Sequence, residues 1–173
     1  EFATMKPYMP KGLNMKRLGL FMNKTFSGRL NAERIKPIRD MWKGKIVLKG
    51  VASEEDTEMA LSLGLDGIIV SNHGGRQLDA GQSTIKTLPP IVEKYKGKLT
   101  IMMDSGVRSG PDVARVLASG ADFAFMGRSF MYGVAALGKD GGNHTISILK
   151  AQLKQVMEQV CCAKVSDLPK HII

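Results

Sequence analysis

Cysteine is nearly absent from this sequence of 173 residues: only Cys161 and Cys162 occur, side by side in a helix-like stretch. Two adjacent thiols cannot build a disulfide framework, and no CxxC or His-rich spacing points to zinc. They read as packed or half-exposed thiols of a reducing compartment. Aromatic residues are scarce too, at 6%. No basic run is interleaved with stacking rings, which argues against nucleic-acid binding. No apolar run approaches transmembrane length and no signal-peptide pattern opens the chain, so the expected location is cytoplasmic. The first residue is Glu1 rather than methionine, which points to a fragment or a processed chain. Acids are outnumbered, 16 against 25 lysines and arginines, for a formal charge of +9. That excess suits an anionic partner: a phosphate, a carboxylate substrate, an acidic membrane surface or a nucleic acid. A basic solvated surface is the plain alternative.

What is present is enough for one domain with a real core, 43% hydrophobic and 24% charged. Residues 1–30 are basic, rich in Met, Lys and Gly, and without a clear period. Met9-Pro10-Lys11-Gly12 and Thr25-Phe26-Ser27-Gly28 read as loop or extended lead-in. From Asn31, as cap, a helix is expected to Trp42, with Pro37 implying a kink or late start. Residues 45–51 form a first strand. Ser53-Glu54-Glu55-Asp56 reads as a capping box for a helix ending near Leu63, with Gly64 behind it. Residues 66–71 are a second strand, followed by a loop to Gln82 and a helix over 83–96 that Pro89-Pro90 interrupts or restarts. Residues 99–104 are a third strand, and Pro111 opens the next helix, which Gly120 closes. Residues 122–127 are a fourth strand, with a helix to about Leu137. After Gly138-Lys139-Asp140-Gly141-Gly142, a long amphipathic helix is expected from about Thr145 to Cys162.

The order is β-α-β-α-β-α-β-α with a terminal helix. The strands are apolar on both faces, as fully covered parallel strands should be. Right-handed crossovers then leave an open doubly wound sheet or a segment of a barrel. Four βα units are half of an eight-unit barrel, and half a barrel leaves two open edges and an exposed inner face.

Every strand ends in chemistry: the first at Lys49, the second at Ser71 and His73, the third at Asp104 and Arg108, the fourth at Gly127 and Arg128. Singly, each has a bland reading as a solvated strand end or a structural loop residue. Together they place a candidate site at one rim. The densest stretch is Ser71-Asn72-His73-Gly74-Gly75-Arg76-Gln77-Leu78-Asp79, where a buried run, Gly67-Ile68-Ile69-Val70, ends in polar, flexible residues. Gly106 and Gly127, with an arginine close behind each, let backbone N–H groups approach an anion, and the helix after Arg128 adds its positive end. A plain glycine-turn reading of Asp104-Ser105-Gly106-Val107-Arg108-Ser109-Gly110 stays open.

These segments resemble the FMN-dependent α-hydroxy-acid oxidizing enzymes: glycolate oxidase, flavocytochrome b2 and L-lactate dehydrogenase. The match lies in Leu48-Lys49-Gly50-Val51, the Ser71-to-Asp79 segment, Asp104-Ser105-Gly106-Val107-Arg108 and Gly127-Arg128, in the same order and spacing, from about Ile35 to the C-terminus. The resemblance implies a TIM (β/α)8 barrel of which residues 31–173 are the C-terminal half, strands five to eight, with residues 1–30 an irregular lead-in. It implies FMN as cofactor and a small 2-hydroxy acid, of lactate or glycolate type, as substrate. By the same resemblance His73 is the base that takes a proton from the substrate, which it contacts, and Arg76 clamps the substrate carboxylate. Lys49 lies near the flavin N1 and C2=O, Ser71 contacts the flavin, and Asp104 holds the ribityl chain. The turn of Ser105, Gly106, Val107 and Arg108, with Gly127 and Arg128, holds the phosphate. Ser105 stands where a glycine is common in the family.

The family's first four strands supply flavin-stacking backbone, substrate-contacting tyrosines and an aspartate that pairs with the histidine; none of these precedes Lys49. The chain alone is therefore expected to bind FMN weakly and turn over poorly, and to self-associate or pair with an N-terminal half. A non-catalytic half-barrel that binds phosphate or FMN is the competing reading, and a basic nucleic-acid binder ranks last.

Overall fold

Four short apolar runs become the parallel strands of one sheet in the computed structural model, which describes residues 6–12, 14–25 and 30–171. They are β1 (Val47–Val51), β2 (Gly67–Val70), β3 (Thr100–Met103) and β4 (Phe123–Ala124). Each strand pairs with the one before it, in the order β1-β2-β3-β4. A doubly wound sheet reverses its strand order at a switch point. This sheet has no reversal, so of the two open architectures it is the wall of a barrel.

Helices fill the connections: α3 (Glu54–Ser62), α4 (Thr84–Tyr95) and α5 (Gly110–Ala118) between strands, then α6 (Arg128–Leu137) and α7 (Gly141–Gln159). Their starts are written locally. Ser53 Oγ accepts the Asp56 N–H at the head of α3, and at α5 Ser109 and Asp112 complete a full capping box with proline in the first turn.

The pleat sorts the strand side chains. Ile68, Val70, Ile101 and Met103 are almost wholly buried, beneath Ala60, Leu88, Ile91, Tyr95 and Val116 of the helical layer. Each such side chain stabilises the fold by roughly 1.5–3 kcal/mol. Along the register row Lys49, Ile69, Met102 and Phe123 the other face is open, with Val47 42% and Phe123 55% exposed. Strands expected to be covered on both faces are therefore covered on one, because the opposite wall of a barrel is not formed by these four strands.

Opposite the candidate rim, two aspartates fasten the strand starts. Asp66 Oδ2 accepts the Ile46 N–H at 2.9 Å and its Oδ1 meets Lys45 Nζ at 2.7 Å, with Arg39 at 3.2 Å. Lys45 first, then the Ile46 N–H, holds the Asp66 carboxyl down at about 2. Asp122 repeats the device, accepting the Ile101 N–H at 2.8 Å and pairing with Lys96.

Several elements differ from expectation. Two helices precede β1, α1 (Met15–Thr25) and α2 (Ala32–Met41). The first replaces part of the irregular lead-in: Asn14 Oδ1 accepts the Arg17 N–H and starts it, and Leu18 is its buried residue. Phe26, Ser27 and Gly28 lie outside the described residues. Pro37 and the pair Pro89-Pro90 lie within continuous helices, α2 and α4. In α4 the prolines sit on the exposed side, while Thr87, Leu88, Ile91 and Tyr95 bury the other. That packing offsets the lost helical hydrogen bonds. β4 is two residues long, shorter than the expected strand over 122–127. Helix α7 begins at Gly141, four residues early, because Gly141 packs directly against Gly133 of α6. A Cβ at Gly133 would run into Thr145 Oγ1 and the Gly141 carbonyl. Cys161 and Cys162 fall just beyond α7, the first exposed in a left-handed turn and the second buried.

Candidate functional site

The rim is built from the C-terminal ends of all four strands, and an irregularity in β1 sets its first residue. Lys49 pairs with Ile69 and Val51 with Val70, leaving Gly50 as an extra residue at φ +96°. Such bulges re-aim side chains at barrel rims. Here Val51 turns into the core while Lys49 stays on the open face, where its Nζ donates to Ser71 Oγ at 2.9 Å and lies 3.0 Å from Asp104 Oδ2.

β2 leads into a strained loop. His73, Gly74 and Gly75 have φ of +57°, +69° and +71°, and only the glycines adopt that region freely. Strain of this kind persists where neighbours over-determine it, and the neighbours are present. His73 N–H donates to Ser71 Oγ, Gly75 N–H to Asn72 Oδ1, and Asn72 and Gly74 N–H both to Ser105 Oγ. Arg128 Nη2 donates to the Gly74 carbonyl at 2.9 Å. The His73 and Arg76 side chains are exposed and have no hydrogen-bond or ion-pair partner among the described residues. Both are free to meet a ligand.

After β3 the chain turns through Ser105 and Gly106, at φ +76° and +84°. Thr84 Oγ1, buried at the head of α4, donates to the Asp104 carbonyl at 2.8 Å and anchors this turn. Space is open where a Cβ would stand at Gly106 and at Gly127, so a ligand can reach the backbone at both. Helix α6 starts at Arg128 without a side-chain cap, leaving its first N–H groups and its positive end toward the cleft. Ser129 Oγ donates to the Arg108 carbonyl at 2.7 Å and ties the two arginine turns together.

These parts line one cleft of about 540 Å³. Around it stand Lys49, His73, Arg76, Asp104, Ser105, Gly106, Val107, Arg108, Gly127 and Arg128. Asp104 is the one carboxylate among them. Burial pushes its pKa up, but the hydroxyls of Ser71 and Ser105 and the Lys49 ammonium outweigh this and hold it below the usual range. The cleft is therefore strongly positive and suited to an anion. Two anticipated residues sit differently from the rest. Ser71 is 3% exposed and lies beneath the cleft, under Lys49 and His73, and Val107 turns its side chain into the core. Phe125, Met126, Met131 and Tyr132 add an apolar wall that the sequence reading did not single out. The Phe125-Met126 pair at the end of the fourth apolar run was the available signal; Thr84 had none.

The donor set fits a phosphorylated cofactor with a planar ring. Two open glycine turns, an uncapped helix start and two arginines suit the phosphate, while an apolar wall and Lys49 suit the ring. Comparison with known proteins agrees. A family profile described as FMN-dependent dehydrogenase matches residues 3–173. The L-lactate dehydrogenase of Bartonella quintana is 40% identical over 157 residues, 91% of this chain and 41% of that protein. That of Alcaligenes faecalis is 34% identical over 173 residues, 100% of this chain and 46% of that protein. A crystal structure of mandelate oxidase with 3,3-difluoro-2-hydroxy-3-phenylpropionic acid superposes with a TM-score of 0.77 at 35% identity, covering 82% of this chain and 43% of the oxidase. Another holds the monooxide FMN adduct of a mandelate oxidase variant, at a TM-score of 0.76. The chain thus spans less than half the length of these relatives.

Proposed function

Since the chain belongs to the FMN-dependent dehydrogenase family, we propose that it supplies the cofactor-phosphate site, the base and the substrate arginine for oxidising a small L-2-hydroxy acid, of lactate or glycolate type, to the 2-oxo acid. The observation that carries this reading is the convergence on one cleft of His73, Arg76, Lys49 and the Gly106–Arg108 and Gly127–Arg128 turns.

When bound, FMN supplies the two-electron acceptor. Arg108, Arg128 and the N–H groups of the two glycine turns hold its phosphate, with Asp104 on the ribityl side. Lys49 presents its ammonium to the ring, where positive charge favours the reduced form. The planar fork of Arg76 takes the substrate carboxylate by two parallel hydrogen bonds, fixing the α-carbon near His73. A ring nitrogen of His73 accepts the proton that the substrate gives up at its hydroxyl or α-carbon.

A specific observation favours a second reading, an incomplete half-barrel that binds FMN or phosphate without turnover. The inner sheet face is open, and α6 buries none of its residues, with Met131, Tyr132, Val134 and Leu137 exposed. These surfaces support pairing with an N-terminal half-barrel or with a second copy of the chain. Titrating the purified chain with FMN, then adding lactate, glycolate or mandelate without oxygen, separates the readings. Flavin binding followed by bleaching supports the enzyme. Binding without bleaching supports the half-site. Equal binding by an Arg128→Ala variant would remove the phosphate assignment.

A further inference from the structure

Ser105 carries a side chain where the backbone favours glycine. Its φ of +76° lies in the left-handed region that residues with a Cβ rarely enter. What the side chain does there is specific. Its hydroxyl donates to Asp104 Oδ1 at 2.7 Å and accepts from Asn72 N–H at 3.3 Å and Gly74 N–H at 3.0 Å. Those two N–H groups flank His73, whose own N–H goes to Ser71 Oγ at 3.1 Å. Lys49 closes the ring, donating to Ser71 Oγ and pairing with Asp104. Three consecutive amides of a strained loop thus end on two serine hydroxyls, and both hydroxyls are oriented by one ion pair. Because the carboxylate takes the Ser105 proton, the lone pairs of Oγ are left for the amides.

We propose that Ser105, with Ser71, is a positioning residue that clamps the left-handed backbone of His73 and so aims its imidazole into the cleft. The catalytic consequence rests on His73 being the base; the clamp itself does not. Glycine at this position would relieve the turn but leave the Asn72 and Gly74 N–H groups without their acceptor. Backbone fit and the clamp therefore predict opposite results for the same substitution.

The test is amide hydrogen exchange, with imidazole ¹H–¹⁵N spectra, on the full chain and its Ser105→Gly, Ser105→Ala and Ser105→Thr variants. In the unaltered chain the Asn72 and Gly74 amides are expected to be protected. In the Gly and Ala variants they exchange about tenfold faster, the loss of one hydrogen bond's worth of protection, while the Asp104 amide, bonded to the Val70 carbonyl, keeps its rate. The His73 ring signals shift or broaden in the same two variants. Threonine retains the hydroxyl and is expected to restore both readouts despite its strained backbone. Unprotected amides in the unaltered chain, or wild-type exchange in the Gly variant, would overturn the clamp. Should threonine not fold, the glycine variant, which relaxes the turn, decides alone. Altered exchange in a chain that binds FMN without oxidising a hydroxy acid would instead favour the half-site reading and leave the clamp standing.

Discussion

Lys49 Nζ lies 3.0 Å from Asp104 Oδ2, joining the ends of β1 and β3 across the intervening β2. Both residues line the cleft, and Asp104 is the more buried of the two. Removing the lysine leaves a part-buried carboxylate with only hydroxyl partners. A Lys49→Met variant is therefore expected to raise the Asp104 pKa and to weaken FMN binding about tenfold or more, since a charge-assisted contact is lost. Carboxyl ¹³C titration and flavin fluorescence check the two effects.

Acid stability has a different origin. Asp66 is held at about 2 against an ordinary 3.8. Below 3.8 the unfolded chain binds more protons at this group than the folded one. Its contribution is therefore present above about 3.8 and lost as pH falls toward 2. Unfolding by urea between pH 2 and 5 is expected to show stability rising with pH, with a shallower rise in Asp66→Asn.

Gly133→Ala tests the close approach of α6 and α7. In an unhindered helix this change would stabilise by about 1 kcal/mol. Here the new Cβ meets Thr145 Oγ1 and the Gly141 carbonyl, and overpacking of that kind costs roughly 1–3 kcal/mol. The thermal midpoint is expected to fall rather than rise.

The open sheet face makes a prediction about association. Phe123 and Phe125 stand 5.0 Å apart, ring to ring, and both are exposed. The chain is expected to self-associate in sedimentation. Replacing both rings with serine is expected to shift it toward monomer. A compact monomer before any substitution would contradict self-association.

The strands and most helices were legible because their signals are local: apolar runs, Asn31 and Ser53 as caps, Pro111 at a helix start, glycines closing helices. The rim was legible for the same reason, since each strand end announces its polar residue in sequence. What stayed hidden depends on distant partners. The continuity of α4 through Pro89-Pro90 comes from Leu88, Ile91 and Tyr95 finding a core. Gly141 reads as loop until Gly133 is seen beside it. Lys49, Asp104, Ser71 and Ser105 could each be singled out, but not that their hydroxyls and charges close on the amides around His73. Thr84, buried under the Asp104 turn, is a helix start like many others until the fold brings β3 to it.

The sequential strand order also bears on how the chain folds. Val47 pairs with Gly67, Gly67 with Thr100, and Met102 with Phe123, so no pairing spans more than one helical connection. Loop closure is short at every step, and the topology is of the kind that folds fast for a parallel sheet. Each new strand can be added to the last as it leaves the ribosome, with Asp66 and Asp122 fastening successive additions. The wall can grow in order of synthesis, without waiting for the segment that follows.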